Sequence, residues 1–184
     1  MTTIEILRHG ETSGGNIYRG ITDQPLTIKG WQQMQNAIAE KKHWRKIISS
    51  PLLRCSDFAS YLSKQLNIPI AFDKRLQEMN FGDWEGLSAE QINQQTPYEL
   101  AQFWNDPVRY PPPNGEHLLS MQQRIIGAWN EIISYNKDTL VITHGGPIRI
   151  ILCHINKIPL NKVLSLEVPL ASFHTFSIPE TCTD

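Results

Sequence analysis

The sequence predicts an α/β fold: a three-layer sandwich with a mostly parallel central sheet, helices on both faces and a small helical insertion. Three observations point there. Short apolar, β-branched runs alternate with longer stretches whose apolar residues recur every three or four positions. The length, 184 residues with 40% hydrophobic content, suits one full core. Two of the apolar runs end on His-Gly, where strands of such a sheet hand over to loops at the carboxyl edge.

Residues 2–7 read as the first strand, carrying Ile4 and Ile6. A glycine-containing loop follows from 10 to 25. Thr27 is placed to cap the next helix, which carries Trp31, Met34 and Ile38 and runs to about residue 40. Residues 46–49 are a second strand. Pro51 falls near the first turn of the following helix, where proline is tolerated, and Phe58, Tyr61, Leu62 and Leu66 continue it. Residues 68–72 are a third strand. Short helices are expected around 88–94 and 98–105. Pro107, Pro111, Pro112 and Pro113 make 106–115 a loop or lid. The insertion is therefore placed at about 86–116, within a single domain spanning 1–184. The clearest helix is 117–135, with Leu118, Met121, Ile125, Trp129 and Ile132 on one face. Residues 139–143 are a strand, and Gly145, Gly146 and Pro147 open a helix to about 155. Two strands, 164–168 and 172–178, close the chain.

Charge narrows the function classes. The 17 Lys and Arg nearly balance the 18 Asp and Glu, so no basic excess marks a nucleic-acid binder. No apolar run approaches the ~18 residues of a membrane span, and the first residues lack the pattern of a signal peptide. Cys55, Cys153 and Cys182 show no CxxC spacing and read as reduced thiols of a cytoplasmic protein. The six histidines, His9, His43, His117, His144, His154 and His174, show no paired metal-ligand spacing. Neither a metal nor another cofactor is expected. A homodimer is left open.

Four segments carry chemistry. Leu7-Arg8-His9-Gly10-Glu11-Thr12 ends the first strand and can present a ring nitrogen beside an arginine, with a glycine permitting close backbone approach. Ser49-Ser50-Pro51-Leu52-Leu53-Arg54 ends the second strand and opens a helix. Helix N-termini favour anions, so a cation there, Arg54, makes sense if it faces a bound anion. Val141-Ile142-Thr143-His144-Gly145-Gly146 aims a second histidine at the same edge. In the stretch 76–86, Glu78, Asp83 and Glu85 compete for the role of an acid whose pKa is raised by apolar and aromatic surroundings. Spacing does not choose among them. Two arginine forks, two histidines and one carboxylate suit phosphoryl transfer, which needs positioning and charge neutralisation.

These residues resemble the histidine phosphatase superfamily, the relatives of cofactor-dependent phosphoglycerate mutase. Arg8-His9-Gly10, Arg54, Glu78 and His144 match its motif positions in order, over about residues 2–155. The resemblance implies that His9 attacks phosphorus and becomes a phosphohistidine. It implies that Arg8, Arg54 and His144 bind the transferring oxygens, helped by backbone N–H groups such as that of Gly145. Glu78 would protonate the leaving alkoxide and then activate water, leaving Asp83 and Glu85 as neighbours. The nucleophile must be unprotonated, and its other ring nitrogen needs an acceptor to fix the tautomer.

The loop after the first motif reads Ser13-Gly14-Gly15-Asn16-Ile17-Tyr18-Arg19-Gly20-Ile21-Thr22-Asp23-Gln24-Pro25. Asn16 falls one place later than the asparagine of the commoner pattern. This loop, the Phe81-to-Gly86 segment, Pro112-Pro113-Asn114-Gly115-Glu116 and Thr143-His144-Gly145-Gly146-Pro147-Ile148-Arg149 resemble the α-ribazole phosphatases of cobalamin nucleotide-loop assembly. The resemblance implies a small phosphomonoester substrate, α-ribazole 5′-phosphate or cobalamin 5′-phosphate. Asn16, Arg19 and Thr22 are expected to contact phosphate or the leaving group. Trp84, Phe103, Trp104 and Tyr110 are candidates for a benzimidazole pocket. The alternatives are a broad-specificity or phosphoserine phosphatase, a phosphoglycerate mutase, and a catalytically silent phosphate-binding scaffold.

Overall fold

The computed structural model describes residues 1–41 and 43–179. Five strands build one sheet: β1 (Thr2–Arg8), β2 (Lys46–Ser49), β3 (Ile70–Phe72), β4 (Thr139–Thr143) and β5 (Phe173–Ile178). Their order is β3-β2-β4-β1-β5, parallel except for β5, which pairs antiparallel with β1. The first two strands in sequence are therefore not neighbours. The chain returns late to insert β4 between them, and the carboxyl ends of β2, β4 and β1 lie side by side.

Alternation along the strands decides what covers each face. Ile4, Ile6, Ile48 and Val141 join one buried cluster, whereas Leu7, Ile47, Leu140 and Ile142 join another. The six helices are α1 (Ile28–Ala37), α2 (Leu53–Leu66), α3 (Ala89–Gln95), α4 (Pro97–Asn105), α5 (Leu118–Ser134) and α6 (Gly145–Ile155). Met34 of α1 and Phe58, Ala59 and Leu62 of α2 pack in the second cluster. The first cluster takes Met121, Ile125, Trp129 and Ile132 from α5 and Ile148 and Ile151 from α6. Three layers result. The insertion helices α3 and α4 bury Ile92, Leu100 and Phe103 in that same first cluster. No helix of the described residues is long and apolar enough to cross a membrane.

Local chemistry sets the helix ends. Thr27 is extended, and its hydroxyl accepts the Gly30 N–H at 3.0 Å to cap α1. Ser88 and Gln91 close a reciprocal capping box on α3. Asn67 ends α2 in the left-handed region. Pro51 precedes the N-cap of α2, Leu52, rather than lying inside its first turn.

The stretch expected as a strand at 164–168 is instead irregular, with a 3-10 helix over Leu160–Ser165. Its apolar alternation was genuine, but its carbonyls are spoken for: Arg149 donates to the Leu166 carbonyl and Arg8 to that of Val168. Pro169 then offers no donor to a ladder. Cys55 and Cys153 are free and buried, and Cys182 lies outside the described residues.

Candidate active site

The end of β1 carries His9 into a buried position between two backbones. Its N–H donates to the Thr143 carbonyl at 3.0 Å, and its own carbonyl accepts from Ala171 at 3.1 Å. The Nδ1 atom stands 2.8 Å from the Gly10 carbonyl. A carbonyl only accepts, so Nδ1 holds the proton and Nε2 keeps its lone pair. Burial, and then the charge of Arg54, push the imidazole down to about 3, against the smaller opposing pull of the Gly10 carbonyl. His9 is a neutral base over the whole physiological range.

Arg54 sits in the first turn of α2, fully buried. Nε donates to His144 Nδ1 at 3.1 Å, Nη1 to the Thr22 carbonyl at 2.9 Å and Nη2 to the Gly20 carbonyl at 2.6 Å. Loop 20–22 is in turn held by Glu85, whose carboxylate accepts the N–H groups of Gly20, Ile21, Thr22 and Phe81 at 2.9–3.2 Å, and the Thr22 hydroxyl. Burial works to raise the Glu85 pKa, but these hydrogen bonds outweigh it and hold the carboxyl below its usual range. Asp83 accepts from the Asn114 amide at 2.9 Å. Of the three acids that spacing left open, Glu85 is thus an anchor for the loop and Asp83 faces a neighbouring turn.

Glu78 is the one that reaches the strand ends. Oε2 accepts the Gly146 N–H at 3.1 Å and Oε1 that of Met79 at 3.0 Å. A Cβ on Gly146 would collide with the Glu78 carboxylate, so glycine is required for the acid to reach the start of α6. The backbone beneath it is splinted by Arg124 of α5. That side chain donates to the carbonyls of Arg75, Gln77 and Glu78 at 2.6–3.1 Å and pairs with Glu116 at 2.6 and 2.7 Å.

His144 lies 5.2 Å from His9 between ring centroids. It accepts from Arg54 at Nδ1, so its proton sits on Nε2, 2.7 Å from the Ser50 hydroxyl. Burial first, then the Arg54 charge, hold His144 well below the ordinary histidine value. Gly145 follows at the first position of α6, where an N–H has no intrahelical partner. Arg8 completes the cluster. One of its nitrogens donates to the Val168 carbonyl, and its buried Nε finds no hydrogen-bond partner among the described residues. Burial lowers its pKa, opposed by the charge of Glu78.

The loop residues behave differently. Asn16 is exposed and takes part in none of these hydrogen bonds. Arg19 donates to Gln24 at 2.6 Å and to the carbonyls of Ser13 and Gly15 at 2.7 and 3.0 Å, while its charge still acts on His9. The Thr22 side chain is spent on Glu85 and its carbonyl on Arg54. Of the aromatic candidates, Phe103 lines a cavity beside Glu78. Trp84 is buried against Phe103 and Tyr18, Trp104 is exposed, and Tyr110 lies under Arg109.

Sequence reasoning gave no role to Ser50, Arg124 or Arg149. Ser50 and Arg149 stood in quoted motifs without a role. Arg124 had no local signal, because the carbonyls it holds, those of Arg75, Gln77 and Glu78, lie more than forty positions away in the chain. Among the described residues the arrangement offers a neutral imidazole nitrogen, one buried and one half-buried guanidinium group, a carboxylate and a helix-start N–H. That set can accept a phosphoryl group and neutralise its charge.

Comparison with known proteins gives the same outline. The model of the histidine phosphatase superfamily, branch 1, matches residues 4–183. Phosphoserine phosphatase 1 of Hydrogenobacter thermophilus is 25% identical over 98% of this chain and 88% of its own length. Among solved structures, YhfR of Bacillus stearothermophilus superposes with a TM-score of 0.89 at 30% identity, covering 97% of this chain and 92% of that one. The α-ribazole phosphatase from Shigella flexneri superposes with a TM-score of 0.87 at 23% identity, covering 97% and 92%; that likeness speaks for the fold.

Proposed function

For a chain that belongs to the histidine phosphatase superfamily, branch 1, we propose hydrolysis of phosphomonoesters through a phosphohistidine on His9. The observation that carries this is the His9 ring, neutral, buried and anchored at Nδ1, with its other nitrogen left as a lone pair. That nitrogen attacks phosphorus while the bond to the ester oxygen breaks. Glu78 gives a proton to the departing alkoxide. Water then loses a proton to Glu78 and attacks phosphorus, the P–N bond breaks, and inorganic phosphate leaves a neutral His9 behind. Arg8, Arg54, His144 and the Gly145 N–H hold the transferring oxygens. Arg19 adds charge from the loop, Thr22 acts through the carbonyl that steadies Arg54, and Asn16 stands at the rim.

The finer reading is α-ribazole 5′-phosphate, or cobalamin 5′-phosphate, as substrate. The glycine-containing loop supports it, and so does the apolar, partly aromatic wall beside Glu78. Phosphoserine is the second reading, favoured by the relative from Hydrogenobacter thermophilus. Quenching with ³²P-labelled substrate should trap an acid-labile, base-stable phosphoenzyme that is absent in His9→Ala. Turnover that survives His9→Ala would overturn the mechanism. An α-ribazole 5′-phosphate kcat/KM no better than that of p-nitrophenyl phosphate would remove the finer assignment.

A further inference from the structure

Next to Glu78 the fold leaves a cavity of about 70 Å3. Its wall includes Phe81, Phe103, Met121 and Leu164, and among the described residues Glu78 and Arg149 are its charged side chains. His9 is not part of that wall. In an in-line displacement the attacking and departing atoms lie on opposite sides of phosphorus. Whatever is attached to the departing oxygen therefore extends away from His9 and towards the acid that protonates it. Under the phosphatase reading above, on which this inference rests, that direction leads into the cavity.

The positive charge on its wall is closely packed against a second one. Arg149 is held through Nε, which donates to the Leu166 carbonyl at 2.8 Å. Its Nη1 lies 2.9 Å from the point where a Cβ on Gly145 would stand, and Arg8 Cζ lies 3.3 Å from that same point. Two guanidinium groups thus share the space that a side chain at 145 would take. Among the described residues, the buried Arg8 Nε there has no hydrogen-bond partner. Such a pair calls for an acceptor between or beside it and opposes a third cation.

We propose that this cavity is the leaving-group subsite, and that it selects phosphate esters of apolar alcohols that are neutral or carry an anionic group, while rejecting alcohols that carry an ammonium group. The apolar wall sets the first preference and Arg149 the second. Phosphoserine carries both an ammonium and a carboxylate on the carbon next to the ester carbon, so the criterion places it between phosphoglycolate and phosphoethanolamine.

Four small esters test it on the full chain: ethyl phosphate, phenyl phosphate, phosphoglycolate and phosphoethanolamine. In the native protein, kcat/KM for phosphoglycolate should exceed that for phosphoethanolamine at least about tenfold. Arg149→Met, which keeps the aliphatic stem, should bring that ratio to within about threefold. Leu164→Trp, at a half-buried position, should narrow the cavity and lower the phenyl-to-ethyl phosphate ratio about tenfold. Calorimetric binding of the same esters to His9→Ala reads the subsite without turnover. Ordered affinities with no turnover in the native protein would sink the phosphatase reading and keep the subsite. Equal affinities for phosphoglycolate and phosphoethanolamine would sink the subsite. So would a charge ratio indifferent to Arg149→Met, or a size ratio indifferent to Leu164→Trp.

Discussion

His9 and His144 are histidines held neutral by burial and by Arg54, and this has a cost in acid. In the unfolded chain both take up a proton near pH 6.5, whereas in the folded chain His9 does so only at about 3. Between those values the unfolded state binds more protons, so stability rises with pH and falls as pH drops below 6.5. At pH 4.5 the His9 contribution to that loss is on the order of 3 kcal/mol. Thermal melts from pH 7 to 4.5 should show a falling midpoint, and His9→Gln should flatten the slope. A slope unchanged in His9→Gln would mean that other groups carry it. At this scale the sequence was legible where a residue sits in a strand-end motif, as Arg8, His9, Arg54 and His144 do. Glu78 was separated from Asp83 and Glu85 only by resemblance. The structure supplies the physical ground, because only Glu78 reaches the N–H of Gly146. Arg124 and Arg149 look like ordinary polar positions of helices until distant carbonyls are brought to them.

The start of α6 and the loop braced by Glu85 are the elements on which the site hangs. Gly146→Ala would put a methyl group into the Glu78 carboxylate. It should lower kcat about a hundredfold while leaving circular dichroism native, since helix α6 tolerates alanine. Arg124→Met removes three carbonyl contacts and strands Glu116, and should cost about 2–4 kcal/mol in denaturant melts. Thr27→Ala, far from the chemistry, should cost about 1 kcal/mol and leave kinetics alone. Element bounds were legible where a strongly apolar or periodic run is clearly set off from its flanks, as in α5, α6, β2 and β4. They were illegible at 160–168, where the apolar pattern of a strand is overruled by two arginines arriving from β1 and α6.

For the molecule as a whole, the decisive fact is the insertion of β4 between β1 and β2. It gathers residues from positions 8 to 149 at one edge, and the groups proposed to hold an anion there, Arg8, Arg54 and His144, come from three different strand ends. A bound anion should therefore tie the sheet together. Inorganic phosphate at a hundred times its Kd should stabilise the native protein by about 2.7 kcal/mol, and Arg54→Met should abolish the gain. An equal shift in both proteins would place the phosphate elsewhere. Layer order was foreseeable from the alternation of helices and strands. Strand order was not, because no local pattern says between which neighbours a late strand will enter.

The carbonyls of Leu166 and Val168 are held by the very arginines that face the site. Those donors serve two masters, the chain that closes the sheet and the ligand that approaches it. Amide hydrogen exchange across 160–172 should thus read the state of the site from outside it. Protection should fall in Arg8→Met and Arg149→Met, and should change on ligand binding in the native protein, although no amide in that stretch touches the phosphoryl group.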